Sequence, residues 1–244
     1  MVKIFINAGH GTHDAGAVNK RLNLQERYLA KDLCKVIESY LKSFGITVMV
    51  YQEVNSLNEV PKKANEFKAD LFVSVHMNAS TSSSASGVEV LFCEGSTKGK
   101  TFAQTILNSV VKVGDYTFKN RGVKDDSTKH LGVLRYTNMT ACLVEMGFIS
   151  NDTEASFVHY HINECGTAIA NVIIEYLVSN NLIKNPIHTI TVPSISEKKS
   201  SIQIVPSGVN GTYNLIIEDK LILSKNKIET IDKYLTEKYK DILY

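Results

Sequence analysis

Four residues in this chain of 244 have the types and surroundings that hydrolytic chemistry needs. His10 sits in Gly9-His10-Gly11 after an apolar run, His76 ends the run Leu71-Phe72-Val73-Ser74-Val75, and Glu145 ends Ala141-Cys142-Leu143-Val144. Glu26 opens an amphipathic stretch. Two histidines and a carboxylate form the common open zinc site, in which three protein ligands leave a fourth position for water. His10, Glu26 and His76 supply that set, and Glu145 is left over as the base. Each also has an ordinary explanation. Gly9-His10-Gly11 is what a tight strand-to-helix turn looks like, and His76 could be a satisfied histidine at a strand end. Asn23-Leu24-Gln25-Glu26 resembles a capping box, whose glutamate bonds back to the cap. Glu145 is harder to dismiss, because a carboxylate leaving an apolar strand is costly unless it is paired or used. His13, three residues after His10, competes with Glu26 for the third ligand position, but a glycine-rich loop gives that pair poor geometry.

These groups are useful only if the fold gathers them. Hydrophobic periodicity alternates between strand and helix through the first 180 residues. Strands are expected at 3–7, 46–51, 70–76, 88–93 and 141–145, and helices at 24–44, 57–67, around 102–113 and from about 153 to 179. Gly45 is placed to cap the first helix, and the nearly continuous apolar run at 70–76 suits a strand covered on both faces. The alternation implies an α/β fold with a mainly parallel twisted sheet flanked by helices. In such sheets ligands bind at the carboxyl ends of the strands. His10, His76 and Glu145 all follow strands, and Glu26 opens the helix after the first one, so the four converge on one edge.

A boundary is expected near residue 182, giving a catalytic domain over 1–181 and a small α+β module over 182–244. Pro186, Pro193 and Ser196-Glu197-Lys198-Lys199-Ser200-Ser201 have the chemistry of connecting segments. Beyond them short strands are expected at 187–192, 202–205, 213–217 and 221–223 and a closing helix at 227–239. The module offers one histidine and no cysteine, so binding or assembly suits it better than catalysis. Residues 1–181 carry 18 basic and 18 acidic groups, whereas the module carries 9 lysines and 7 acids. That excess is too small to imply nucleic acid, which calls for a concentrated basic face. The apolar runs are far shorter than the roughly 20 residues of a membrane-spanning helix. The opening residues lack a secretory pattern, so synthesis and retention in the cytoplasm are expected. Cys34, Cys93, Cys142 and Cys165 are widely spaced and read as reduced, mostly buried thiols.

Taken together, the motifs resemble the zinc-dependent N-acetylmuramoyl-L-alanine amidases, the cell-wall hydrolases of bacterial autolysins, sporulation lysins and phage endolysins. The resemblance is carried by Ile4-Phe5-Ile6-Asn7-Ala8-Gly9-His10-Gly11 with Asp14-Ala15-Gly16-Ala17, then Glu26, then Val73-Ser74-Val75-His76-Met77-Asn78-Ala79. It continues in Gly87-Val88-Glu89-Val90, in Leu131 with Val133-Leu134-Arg135, and in Leu143-Val144-Glu145-Met146-Gly147-Phe148-Ile149-Ser150-Asn151. It spans roughly residues 1–180, in the family's order. It implies His10, Glu26 and His76 as ligands of Zn2+, Glu145 as the catalytic glutamate, and peptidoglycan as substrate. The bond cleaved would join N-acetylmuramic acid to the L-alanine of the stem peptide; Asn78 and Arg135 are candidate substrate contacts, each with the ordinary alternative of a loop asparagine and an exposed arginine. Two departures stand out. The family usually has Asp-Pro before Gly-His-Gly and a further glycine after it, whereas here Asn7-Ala8 precede and Thr12-His13 follow. The last 60 or so residues match no recognisable wall-binding module. A phage endolysin, made without a signal peptide and acting on the wall after release, is the expected setting, and the module is expected to bind wall or to self-associate into a homo-oligomer. The competing readings are a zinc peptidase acting within the stem peptide and a non-catalytic wall-binding protein.

Overall fold

The computed structural model describes residues 2–11, 13–52, 56, 58–184, 188–191, 201–206, 213–217 and 220–226. The chain divides into two compact units, Met1–Ile174 and Glu175–Tyr244. In the first, β1 (Lys3–Ala8) is followed by the short pair β2 (Val18–Asn19) and β3 (Leu24–Gln25), then α1 (Glu26–Ser43), β4 (Thr47–Tyr51), α2 (Glu59–Phe67) and β5 (Leu71–Asn78). Next come β6 (Val88–Phe92), α3 (Thr97–Val110), the small hairpin β7 (Lys112–Val113) and β8 (Tyr116–Thr117), and β9 (Asn120–Asp125). The one-turn α4 (Gly132–Arg135), β10 (Thr140–Phe148), α5 (Asp152–Tyr160) and the part of α6 (Ile162–Ser179) up to Ile174 complete the order. Six strands form one sheet in the order β4-β1-β5-β10-β6-β9. The first four are mutually parallel, β6 runs antiparallel to β10, and β9 runs parallel to β6. Among the described residues no helix is long and apolar enough to cross a membrane.

Local chemistry explains most boundaries. After α1, Gly45 takes φ +71°, and the amides of Gly45 and Ile46 reach back to the carbonyls of Lys42 and Leu41, the paired bonds that close a helix with a left-handed glycine. Helix α3 starts five residues before the expected position because Ser96 caps it, its hydroxyl accepting from the Gly99 amide at 3.0 Å. The single long helix expected from residue 153 is two helices that break at His161. Apolar spacing through Ala155, Val158, Ile162 and Cys165 runs on at helical intervals across the break, so periodicity alone could not show it. Strand β9 has no counterpart among the expected strands because Asn120-Arg121-Gly122-Val123-Lys124-Asp125 lacks alternation. It is the charged edge strand of the sheet, a common device against edge pairing.

One feature of the packing prepares the site. Phe5, Phe72, Leu143 and Leu91, from four strands, are buried together with Val60 and Ala64 of α2 and Leu134 of α4. These two helices are only nine and four residues long. Strand periodicity of two places Asn7, His76, Glu145 and Glu89 on that same face, beyond the apolar cluster.

In the second unit β11 (His188–Thr191), β12 (Ser201–Pro206), β13 (Tyr213–Ile217) and β14 (Lys220–Asn226) form a four-stranded antiparallel sheet in sequence order. The helix expected at 227–239 lies outside the described residues. The division between units falls within α6, upstream of the boundary expected near residue 182.

Candidate metal centre

His10 leaves β1 in the left-handed region, with φ +63°, a conformation uncommon for a side chain with a Cβ and a mark of constraint. Glycines on two sides make room for the rings. A Cβ on Gly9 would lie 2.5 Å from His76 Cε1, and one on Gly16 would lie 2.5 Å from His10 Cδ2 and 2.7 Å from Glu26 Oε2. Asn7, the first departure from the family pattern, is fixed regardless. Its amide nitrogen donates to the carbonyls of Ala8 and Tyr51, and its oxygen accepts from the Ser74 hydroxyl at 2.8 Å.

Glu26 is 4% exposed and joins the two histidines. His10 Nε2 lies 2.9 Å from Oε2, and His76 Nδ1 lies 3.0 Å from Oε1. Each oxygen also accepts a backbone amide, Oε2 from Ala17 at 3.0 Å and Oε1 from Met77 at 3.1 Å. The capping-box alternative is therefore not realised. Gln25 is the N-cap residue of α1, it makes no side-chain cap bond, and Glu26 points into the histidine pair. Burial pushes the Glu26 carboxyl up, but the bonds from His10, His76 and Ala17 outweigh it and hold the group well below the usual carboxylate range. His10 responds in the opposite sense. The bond to Glu26, opposed by burial and aided by Asp14, raises it to about 9.

One donor atom from each of His10, Glu26 and His76 lies within 4.8 Å of the others. This N, O, N set is that of catalytic zinc sites. Asp14 adds the usual outer partner. Its Oδ2 lies 2.7 Å from His10 Nδ1 while its Oδ1 accepts the Gly16 amide, which fixes the ring and leaves Nε2 directed at Glu26. In the sequence Asp14 shows only as part of the family-like Asp14-Ala15-Gly16-Ala17 segment, four residues after His10, and neither signal assigns it a role.

Glu145 stands in register with His76 on the adjacent parallel strand, so the two side chains share a face. Immediately after it the β5–β10 register shifts, and Gly147 takes φ +84°. Glu154 secures this turn by accepting the amides of Phe148 and Gly87 at 2.8 and 2.7 Å. Glu145 Oε2 is buried and has no hydrogen-bond partner among the described residues. Burial raises its carboxyl, offset in part by His76 and reinforced by Glu26. A buried carboxylate oxygen without a partner is expensive to keep. It stands beside a ready ligand set.

With this geometry in place, similarity to known proteins is decisive. The N-acetylmuramoyl-L-alanine amidase family profile matches residues 4–175. The chain belongs to this family. It is 33% identical over 162 residues to the sporulation-specific N-acetylmuramoyl-L-alanine amidase of Bacillus subtilis (strain 168), a match covering 64% of this chain and 60% of that protein. It is 32% identical over 163 residues to the endolysin of Bacillus phage SPP1, covering 64% and 58%. The crystal structure of N-acetylmuramoyl-L-alanine amidase from Clostridium difficile 630 superposes with a TM-score of 0.67 at 28% identity, covering 73% of this chain and 97% of that one. Matches to the curated relatives span 30% of the LytC amidase of Bacillus subtilis (strain 168) and about 60% of the sporulation-specific enzyme.

As an amidase-family chain it places the two expected substrate contacts differently. Asn78 is two residues beyond His76 on β5, hence on the same face, and its Oδ1 accepts the Ala79 amide at 2.9 Å. Arg135 is not brought to the metal centre. Its Nε and one Nη hold the fully buried Asp126 at 2.7 and 3.2 Å, and the same Nη reaches Glu94 at 3.2 Å. The Asp126 amide bonds to Phe92, whose register partner Cys142 lies three residues before Glu145, away from the carboxyl edge. His13 is exposed and is not among the three grouped ligands. All four cysteines are free, and Cys93 is the half-buried one.

Proposed function

We propose that this chain is a zinc-dependent peptidoglycan hydrolase that cleaves the amide between the lactyl group of N-acetylmuramic acid and the L-alanine of the stem peptide. The observation that carries the reading is Glu145 Oε2, buried and unpartnered, on the strand beside the His10, Glu26 and His76 ligand set. A bound zinc ion would lower the pKa of a coordinated water toward neutrality and polarise the scissile carbonyl. Glu145 takes a proton from the attacking water and delivers it to the alanine nitrogen as the C–N bond breaks. The products are a lactyl carboxylate and a peptide with a free amino terminus. Burial suits Glu145 to this double duty, because a raised pKa makes it both a better base and a carboxylic acid nearer neutral pH. Asp14 keeps the His10 ring oriented throughout, and we assign Asn78, on the His76 face of β5, as a substrate contact.

The family match and the likeness to both a sporulation amidase and a phage endolysin support wall peptidoglycan as the substrate. We favour the endolysin setting, with action on the wall after release and the C-terminal module as a wall-binding or self-associating unit, on the plan of a catalytic unit followed by a small second one. Digestion of purified peptidoglycan by wild type, wild type plus chelator, and Glu145→Gln tests the reading by mass spectrometry of the new ends. Free N-terminal L-alanine with unsubstituted lactyl groups, formed only by untreated wild type, is the expected outcome. Cleavage within the stem peptide would make the chain a zinc peptidase instead, and no cleavage would leave a binding protein.

A further inference from the structure

Beyond Glu145 the same face carries a buried carboxylate that the reaction does not require. Glu89 is in register with Glu145 on the neighbouring strand β6 and is only 2% exposed. Three cations surround it. Arg121 Nε donates to Oε2 at 2.7 Å, Lys124 Nζ donates to the same oxygen at 2.5 Å, and Lys129 Nζ lies 4.0 Å from Oε1. The fold is adjusted to gather them. In a regular strand residues 121 and 124 would face opposite sides of the sheet. Here β9 carries an extra residue, Val88 pairing with Asn120 but Val90 with Val123, and Gly122 takes φ +84°. The bulge turns both cations to Glu89. Burial pushes the Glu89 carboxyl up, but Lys124 and Arg121 more than offset it and hold the group ionised, below its ordinary range.

Glu89 is not the whole counter-charge, since Lys129 also acts on Glu145 and Arg121 on Glu154, but the cations direct donors outward as well as toward it. Those charges are not sealed in. The side chains of Arg121, Lys124 and Lys129 are 30%, 42% and 49% exposed. Arg121 is seated over the Phe148 ring, its guanidinium carbon 4.9 Å from the centroid, which fixes the group at the rim of the face. Partly exposed guanidinium and ammonium groups beside Glu145 suit an anionic part of the substrate. Chemistry says which part. The carboxyl of muramic acid is consumed in the scissile amide and the remaining sugar is neutral, so carboxylates lie only on the peptide side of the bond.

We propose that Arg121, Lys124 and Lys129, anchored on Glu89, form a subsite that binds a stem-peptide carboxylate. It thereby orients the substrate with its peptide toward β6 and β9 and its sugar toward β1. The proposal rests on the amidase reading given above. Its test compares two soluble muramoyl peptides that differ only in whether the peptide carboxyl groups are free or converted to carboxamides, using the zinc-loaded full chain. Wild type should favour the acid about tenfold in kcat/KM, mainly through KM, and the preference should shrink as salt is added. Arg121→Gln and Lys124→Gln, at partly exposed positions, should each bring the acid-to-amide ratio severalfold closer to one. A wild-type ratio near one, or variants that lose equally on both substrates, would overturn the subsite and leave the cations as mere neutralisers of Glu89. If wild type cleaves neither compound at the muramoyl amide, the amidase reading fails. Calorimetric titration of the free and amidated stem peptides into the zinc-loaded chain then judges the subsite alone, and equal affinity for the two would overturn it.

Discussion

Gly16 offers the sharpest test of how the ligands are housed. Its φ of +64° is left-handed, and the Cβ of an alanine there would sit 2.5 Å from His10 Cδ2 and 2.7 Å from Glu26 Oε2, contacts no real Cβ tolerates. Gly16→Ala therefore carries two costs. The first is the left-handed backbone, about 1–2 kcal/mol for a residue with a Cβ. The second is displacement of two ligands at once, and loss of ligand orientation typically weakens metal binding about 10- to 100-fold. Gly45 separates these costs, because it has φ +71° and an alanine Cβ there would meet nothing within 4 Å. Gly45→Ala should lose only the backbone term, a melting temperature lower by about 2–8 °C at this chain size, with unchanged zinc affinity. Gly16→Ala should melt at least as much lower and also bind zinc about 10- to 100-fold more weakly in competition with a chromophoric chelator. Equal zinc affinity in the two variants would refute the reasoning that Gly16 is kept bare for His10 and Glu26.

Three further outcomes follow from the geometry. Glu145→Gln should retain one zinc per chain yet lose about 10²- to 10⁴-fold in kcat, and full activity would remove Glu145 from proton transfer. In the metal-free protein His10 is raised to about 9, so the Glu26 and Asp14 contacts stabilise that form fully below about 6.5, the ordinary histidine value, and progressively less as pH climbs through 9. Zinc uptake at pH 7.5 should accordingly release about one proton, read from calorimetry in buffers of different ionisation enthalpy, and an absence of release would contradict the His10–Glu26 pairing. Arg135→Ala leaves the Asp126 carboxylate with only the Glu94 and Leu131 amides and should lower the melting temperature, while activity per folded molecule well below the melting temperature is retained. An unchanged melting temperature with a raised KM would return Arg135 to the substrate.

What the sequence disclosed and what it hid divide along physical lines. His10, His76 and Glu145 stood out in the sequence because each lies near the carboxyl end of a parallel strand, where a polar group after an apolar run has few structural uses. Glu26 was ambiguous, since the same letters spell a capping box. The structure decides for the histidines because Glu26 takes backbone amides from Ala17 and Met77, partners 9 and 51 residues away that no local pattern reveals. Asp14 and Gly16 were visible as letters but not as functions, because their value lies in distances to ring atoms. Glu89 shows the limit most clearly. Within Val88-Glu89-Val90-Leu91-Phe92 it looks like the solvent side of an alternating strand, and its partners come from β9, a segment with no strand pattern, through a bulge at Gly122. A buried charge is recognised by what surrounds it. The row running from His10 through His76 and Glu145 to Glu89 and its cations is therefore a property of strand register, and it is the register that puts Glu145 and the cations around Glu89 side by side.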